Sequence, residues 1–203
     1  MSEAAILDQP VALPRSKRLK AATHATHERL DKGIMGHDPF ASRERYGLFV
    51  KVQHAFHRDI DALYDDAALD MLLPDLGGRR RLELIGQDLA DLGLEPLAVD
   101  APPAFSADTA VDLPRALGWL YVAEGSNMGA AFLLKWAKEK LALSEDFGAR
   151  HLAGAPEGRG LHWRTFTAAL DEISLSDEDE ARVVAGAEAG FRRVLGLVDK
   201  VYA

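Results

Sequence analysis

The chain has 203 residues, of which 48% are hydrophobic and 28% are charged, and its net charge is −8 at pH 7. This composition is typical of one globular domain, and the negative charge argues against a protein that binds nucleic acid. The absence of cysteine excludes disulfide bonds, thiolate metal ligands and cysteine nucleophiles.

The first fifteen residues lack the basic start and apolar run of a signal peptide, and they contain Pro10 and Pro14. We predict a flexible arm over residues 1–15 and a single domain over residues 16–203. No segment approaches the roughly 18 consecutive apolar residues that a membrane span requires. We therefore expect a cytoplasmic protein without a membrane partner, and a monomer by default.

Helical periodicity dominates the N-terminal half. Ser16 is a candidate N-cap for a helix that runs to about Lys32, where Gly33 and Gly36 can end it. A second helix is predicted from Ser42 through the segment SRERYGLFVKVQHAFHRDIDALY, and a third from about residue 78 to residue 92. The run Arg79-Arg80-Arg81 is interpreted as a solvated face from which one arginine can turn inward.

The C-terminal half continues the pattern after a long proline-containing loop over residues 95–114. Pro114 suits the first turn of a helix that continues to about residue 141. A shorter helix is predicted over residues 161–173, and Ser176 with Asp179 resembles a capping box for a last helix that reaches the C-terminus. No convincing strand pattern is present, so the predicted fold class is all-α, a single-domain helical bundle.

Two glycines interrupt the long helix in the segment Gly125-Ser126-Asn127-Met128-Gly129. Each glycine costs about 1 kcal/mol relative to alanine in a helix interior. Because they are four residues apart, both lie on one face and leave a strip of bare backbone. That strip suits either close packing of another helix or a large flat ligand lying on the backbone.

Histidine supplies the candidate metal ligands. His27 is a possible axial ligand for heme iron, and His24 lies three residues earlier on the same predicted helix. His54 and His57 repeat this spacing on the second helix, so a non-heme metal site between the two helices is an alternative.

Four segments of the chain resemble the heme oxygenases of Gram-negative bacteria. They are SKRLKAATHATHERLD, DPFASRERYGLFVKVQHAFHRDIDALY, ALGWLYVAEGSNMGAAFLLK and EDFGARHL, and the third is the most specific. The resemblance extends from about residue 16 to the C-terminus. It implies a helical bundle that holds heme between a proximal and a distal helix.

The resemblance also implies a role for individual residues. His27 corresponds to the proximal iron ligand, and Gly125 and Gly129 to the distal glycines that cross the heme face. Residues matching a distal network of waters are Gln53, His57 and Arg81. Residues matching heme-binding positions are Lys20, Tyr121 and Ser126, with Arg164 as a further propionate partner.

The activity implied is O2-dependent cleavage of heme b at a meso carbon, giving biliverdin, CO and ferrous iron. Heme is then both substrate and cofactor, and an external reductase or ferredoxin must supply electrons because the sequence has no flavin or nicotinamide motif. Two alternatives are a heme storage or transfer protein without turnover, and a non-heme metal enzyme on a related helical fold.

The resemblance further bears on which meso carbon reacts. The branch of the family that rotates heme and forms β and δ products has asparagine at Lys20, lysine at Met35 and Trp136, and phenylalanine at Tyr121. This sequence departs from that branch at all four positions. We therefore predict the ordinary heme orientation and cleavage at the α-meso carbon.

Overall fold

The computed structural model describes residues 13–203, which form seven α-helices and no β-strand. The helices, in chain order, are α1 (Arg15–Gly36), α2 (Arg43–Ile60), α3 (Ala67–Leu72), α4 (Leu82–Asp91), α5 (Leu113–Leu141), α6 (Arg159–Glu172) and α7 (Asp177–Tyr202). The all-α prediction is confirmed. Most of the predicted N-terminal arm, residues 1–12, lies outside the described residues. None of the helices in residues 13–203 is long and apolar enough to cross a membrane.

Side-chain hydrogen bonds cap the first turns of α2 and α7, whereas α1 begins differently. The side chains of Ser42 and Ser176 accept hydrogen bonds from the backbone N–H groups of Arg45 and Asp179, as the sequence predicts. The prediction for Ser16 was wrong, because α1 already begins at Arg15. The carboxylate of Asp171, a residue distant in sequence, accepts hydrogen bonds from the backbone N–H of Ser16 at 2.6 Å and from its hydroxyl at 2.8 Å.

Several predicted boundaries also differ from the observed ones. Helix α1 continues through Gly33 to Gly36, and α2 ends at Ile60, where a 3-10 helix over Asp61–Asp65 follows. The predicted third helix divides into a 3-10 turn over Gly77–Arg79 and helix α4. The short helix α3 was missed; the side chain of Asp66 caps it by accepting a hydrogen bond from the backbone N–H of Leu69.

The longest helix, α5, lies against α7 at backbone distance. A Cβ atom added at Gly118 would stand 2.3 Å from the carbonyl oxygen of Val183 and 2.4 Å from the nitrogen of Ala187. One added at Gly186 would stand 2.6 Å from the carbonyl oxygen of Arg115. These two glycines therefore let the two helices approach more closely than any side chain permits.

A buried arginine fixes the start of α1 against the C-terminal elements. Arg15 is only 4% exposed, and it pairs with Glu180 at 2.7 Å. It also donates hydrogen bonds to the backbone carbonyls of Leu170 and Ile173, so one guanidinium connects α1 to α6 and α7. This contact helps to fix the position of α1 against the rest of the bundle.

The close contact between α5 and α7 predicts that one methyl group added at Gly118 will strongly destabilise the protein. We expect Gly118→Ala to lower the free energy of unfolding by more than about 2 kcal/mol, because backbone atoms on both sides must move. The matched control is Gly196→Ala in α7, where nothing lies within 4 Å of the added Cβ. That substitution should be neutral or stabilising by about 1 kcal/mol. Urea unfolding of the two variants checks this, and equal stabilities would contradict the packing role of Gly118.

Candidate functional site

A cavity of about 710 Å³ lies between α1, α2 and α5, with side chains from α6 and α7 completing its wall. Its size falls within the range of about 300–1,000 Å³ that is usual for sites binding small molecules and cofactors. The lining is mainly apolar on the side of α5 and α7 and polar at the end where α2 meets the start of α4. The cavity therefore suits a large, flat, mostly apolar ligand with a few polar contacts.

The structure brings together nearly all of the site residues predicted from the sequence. Those that line the cavity are Lys20, His27, Gln53, His57, Arg81, Tyr121, Gly125, Ser126 and Gly129. Arg164 is the exception, since it is exposed on α6 and does not line the cavity. Residues of the lining that the sequence analysis did not select include Asp31, His151, Trp163 and Phe191.

On the α1 wall, His27 is held by a carboxylate one turn further along the helix. Its Nδ1 lies 3.3 Å from Oδ2 of Asp31, and its ring meets that of Phe191 edge-on, with 5.6 Å between the centroids. A carboxylate beside Nδ1 favours the tautomer with the proton on that nitrogen, so the lone pair of Nε2 is left for a metal. This arrangement fits a histidine ligand to heme iron.

On the α5 wall, the two glycines differ in what they face: Gly129 faces open space, and Gly125 faces an aromatic ring of α6. Nothing lies within 4 Å of a Cβ added at Gly129, and at Gly125 the nearest atom is in the ring of Trp163 at 3.6 Å. The helix remains α-helical across this segment, and the hydroxyl of Ser126 donates to the carbonyl of Ala123 at 2.6 Å. Close helix packing therefore does not explain Gly129, and the bare backbone is available to a ligand.

The polar end of the cavity contains three buried atoms without a hydrogen-bond partner among the described residues. They are Nδ1 of His57, Nε of Arg81 and Nε2 of His151. Burial, aided by the positive charge of Arg81, lowers the pKa of His57 to about 3, so the ring is neutral at pH 7. Buried polar groups are normally satisfied, so this end of the cavity is suited to ordered water or a polar ligand atom.

The mouth of the cavity carries the residues predicted to hold carboxylate groups. Lys20 is exposed on α1, and Tyr121 is 8% exposed on α5. The Tyr121 ring lies 5.6 Å from that of Trp163, and burial raises the pKa of its hydroxyl, which therefore stays protonated. An ammonium group and a hydroxyl are both able to donate to the carboxylates of a ligand.

The run Arg79-Arg80-Arg81 was predicted as a solvated face from which one arginine can turn inward, and two of the three turn inward, Arg79 and Arg81. Arg79 is 3% exposed and pairs at 2.8 Å with the buried carboxylate of Glu124, whereas Arg80 binds Asp61 and Asp65 at the surface. The sequence analysis missed Glu124, because a glutamate inside a helix carries no signal of burial. Its partner is distant in sequence and becomes visible only in the folded chain.

The alternative metal site between helices is not supported by the arrangement of the histidines. His24 is largely exposed and pairs with Glu28 at 3.6 Å, whereas His57 is buried. Within residues 13–203, no group of three or more histidine, aspartate or glutamate side chains is arranged to hold a metal ion.

Comparisons with known proteins identify the family to which the chain belongs. The family model described as Heme oxygenase matches residues 13–199. Heme oxygenase PigA of Pseudomonas aeruginosa is 42% identical over 189 residues, which cover 93% of each protein. The NO- and CO-bound heme oxygenase from Neisseria meningitidis is 41% identical with a TM-score of 0.86, over 94% of this chain and 93% of that one. The heme oxygenase from Leptospira interrogans is 15% identical, and its TM-score of 0.74, over 93% of this chain and 100% of that one, shows a shared fold.

The buried state of His57 predicts how stability changes with pH. Its pKa in the folded protein, about 3, lies below the ordinary value of 6.5. Between these two pH values the imidazole of His57 binds a proton in the unfolded chain but not in the folded protein. The free energy of unfolding therefore decreases as the pH falls from about 6.5 towards 3. We expect His57→Gln to show a shallower loss of stability between pH 7 and pH 5.

Urea unfolding of the ligand-free protein at pH 7, 6 and 5 measures this effect. His24→Gln is the control, because it removes one exposed histidine by the same substitution. His162 has the opposite dependence, since hydrogen bonding to Glu124 raises its pKa, and it is present in all three proteins. A slope in His57→Gln as steep as that of the unmodified protein would contradict the prediction.

Proposed function

This chain belongs to the heme oxygenase family and is a heme oxygenase, and we propose that it binds heme b in the cavity between α1 and α5. One observation carries this proposal. His27 on one wall has a carboxylate beside Nδ1, and the opposite wall has open backbone at Gly129. A flat macrocycle with a central metal fits between an imidazole nitrogen of His27 and the strip of α5 that has no side chain at Gly129. The products proposed are biliverdin, CO and ferrous iron.

Heme, when bound, supplies both the iron centre that activates O2 and the ring that is opened. His27 would hold the iron through Nε2, with Asp31 fixing the orientation of the imidazole. A neutral histidine donates less electron density to iron than a thiolate does. The electrons come from an external donor, a reductase or a ferredoxin.

Gly125 and Gly129 would keep the reacting face of the ring free of side chains. The absence of a Cβ leaves space for O2, and no acidic or basic side chain stands on that strip of α5. The histidines that line the polar end are His57 and His151, and burial keeps both neutral beside the guanidinium of Arg81. Ordered water held by Gln53, His57 and Arg81 would then supply protons through gentle hydrogen bonding rather than through a strong acid beside the iron.

The orientation of the ring would depend on what holds its propionates. We place Lys20 and Tyr121 in this role because both lie at the cavity lining and both donate hydrogen bonds. Ser126 lies beside Gly125 on the distal wall and contributes a polar contact there. Arg164 lies away from the cavity, so its proposed role would need it to reach the ligand from the surface of α6.

The first experiment tests His27 as the iron ligand. Purified protein mixed with hemin should give a one-to-one complex with a sharp Soret band. Adding ascorbate or a ferredoxin system in air should convert that band into the broad red absorption of biliverdin. We expect His27→Ala to lower the rate of biliverdin formation at least about 100-fold, since it removes the only proposed protein ligand.

The matched control is His24→Ala, three residues earlier on α1 and also at the cavity lining. It should keep the Soret band and the turnover of the unmodified protein. A stable Soret band that never decays would identify a heme storage or transfer protein. No Soret band at all, together with copurified iron, manganese or zinc, would favour a non-heme enzyme.

We further propose cleavage at the α-meso carbon, based on Lys20 and Tyr121 at the cavity lining. The expected chromatogram of the products is dominated by biliverdin IXα. We expect the double variant Lys20→Asn/Tyr121→Phe, which removes both propionate donors, to release a mixture containing the β and δ isomers. A product dominated by β or δ isomers in the unmodified protein would refute the proposal.

A further inference from the structure

A buried aspartate and a histidine form a pair at the polar end of the cavity. Asp88, on α4, is fully buried, and its Oδ2 accepts hydrogen bonds from the backbone N–H of His151 at 3.0 Å and from the ring Nδ1 of His151 at 2.7 Å. Its Oδ1 accepts from the backbone N–H of Arg150 at 2.9 Å. One carboxylate therefore fixes both the backbone turn and the ring of His151.

The chemistry of this pair determines which nitrogen of His151 carries the proton. Burial alone would raise the pKa of Asp88, but hydrogen bonds from His151 and Arg150 hold it below its ordinary value. A carboxylate only accepts hydrogen bonds, so Nδ1 of His151 must be the protonated nitrogen. Burial lowers the pKa of the ring, which is neutral at pH 7. Nε2 therefore has no proton and acts as an acceptor.

That acceptor belongs to a complementary set of groups at the cavity wall. Nε2 of His151, Nε of Arg81 and Nδ1 of His57 are all buried without a partner among the described residues. All three side chains line the cavity, and Nη1 of Arg81 donates to the backbone carbonyl of His151 at 2.7 Å. The set thus offers a donor on Arg81, an acceptor on His151 and one ring nitrogen of His57, all on residues that line the same cavity.

Water fits such a set because it donates two hydrogen bonds and accepts two. Arg81 would donate to the water oxygen, and His151 would accept one of its hydrogens. The second hydrogen of the water is then free to point into the cavity, along a chain of hydrogen bonds that includes His57 and Arg81. Without the acceptor, both hydrogens of the water can rotate, and the orientation of the chain is lost.

We propose that His151, oriented by Asp88, is a further positioning residue of this heme oxygenase. Its Nε2 accepts a hydrogen bond from water. That bond orients the chain of hydrogen bonds through His57 and Arg81 that delivers protons. This inference rests on the proposed binding of heme in the cavity. His151 acts through water and does not touch the reacting atoms.

Two substitutions separate this role from a merely structural one. In His151→Asn, the side-chain amide nitrogen takes the place of Nδ1, so the bond to Asp88 is kept and the acceptor facing the cavity is lost. In His151→Gln, the amide oxygen reaches the place of Nε2, so the acceptor is kept and the bond to Asp88 is lost. The pair therefore removes one function of the ring at a time.

We expect His151→Asn to lower the rate of biliverdin formation about tenfold, the effect of losing one hydrogen bond in the transition state. His151→Gln should recover most of that rate even if its melting temperature falls. The opposite order, with a normal rate in His151→Asn and a low rate in His151→Gln, would assign a structural role and overturn the proposal. If His151→Asn does not fold, a rate for His151→Gln more than about tenfold below that of the unmodified protein would have the same meaning.

Two spectroscopic readouts do not depend on turnover. In the ligand-free protein, 15N NMR should show His151 protonated at Nδ1 and unprotonated at Nε2, and the reverse tautomer would overturn the proposal. In the ferric heme complex, His151→Asn should lower the pH midpoint of the water-to-hydroxide spectral transition, because a hydrogen-bond acceptor stabilises water over hydroxide. An unchanged midpoint would contradict the proposed chain.

The outcomes also distinguish this inference from the proposed function. If the unmodified protein fails to bind heme or to form biliverdin, the proposed function fails, and with it the role in proton delivery. If the unmodified protein is active and His151→Asn matches it in rate and in pH midpoint, only the inference about His151 fails.

Discussion

The structure depends on one stripe of glycines along α5. Gly118, Gly125 and Gly129 are seven and four residues apart, so they fall within an arc of about 40° around a helix with 3.6 residues per turn. At Gly118 the stripe is in backbone contact with α7, as the short distances to Val183 and Ala187 show. Further along, the stripe faces the cavity, and Phe191 and Val194 of α7 line the same space. The two helices therefore touch at one end and separate around the cavity.

Glu124, a buried carboxylate, directly precedes Gly125 of this stripe. It pairs with Arg79, and His162 lies 3.5 Å from the same carboxylate oxygen. A buried charge without a partner is strongly unfavourable, so the pair holds α5, α6 and the turn before α4 in a fixed relation. This buried ion pair thus lies apart from the polar end of the cavity, where the titratable groups are two neutral histidines and the guanidinium of Arg81. None of these is a strong acid, which suits a reaction that needs protons but would be diverted by a strong acid close to the iron.

The short turn over Arg150–Leu152 contributes to both the fold and the site. Asp88 fixes it through the backbone of Arg150 and His151, and Arg81 binds its carbonyl from the other side. The same contacts orient the His151 ring towards the polar end of the cavity. A single 3-10 turn is therefore held in place from both sides, by a buried carboxylate and by a guanidinium that bind its backbone.

The sequence by itself determined the fold class, the cap residues Ser42 and Ser176, and the long helix beginning near Pro114, because these depend on local periodicity and local hydrogen bonds. The resemblance carried by the four segments also selected His27 and the two cavity glycines, and all of the residues it selected except Arg164 line the cavity. What local pattern cannot contain is a partner distant in the chain. The capping of α1 by Asp171, the pairing of Glu124 with Arg79 and the pairing of Asp88 with His151 join residues 45 or more positions apart. The tertiary structure alone decided these contacts. It also decided which glycines of α5 pack against another helix and which face the cavity, because glycines at the same spacing along a helix can do either.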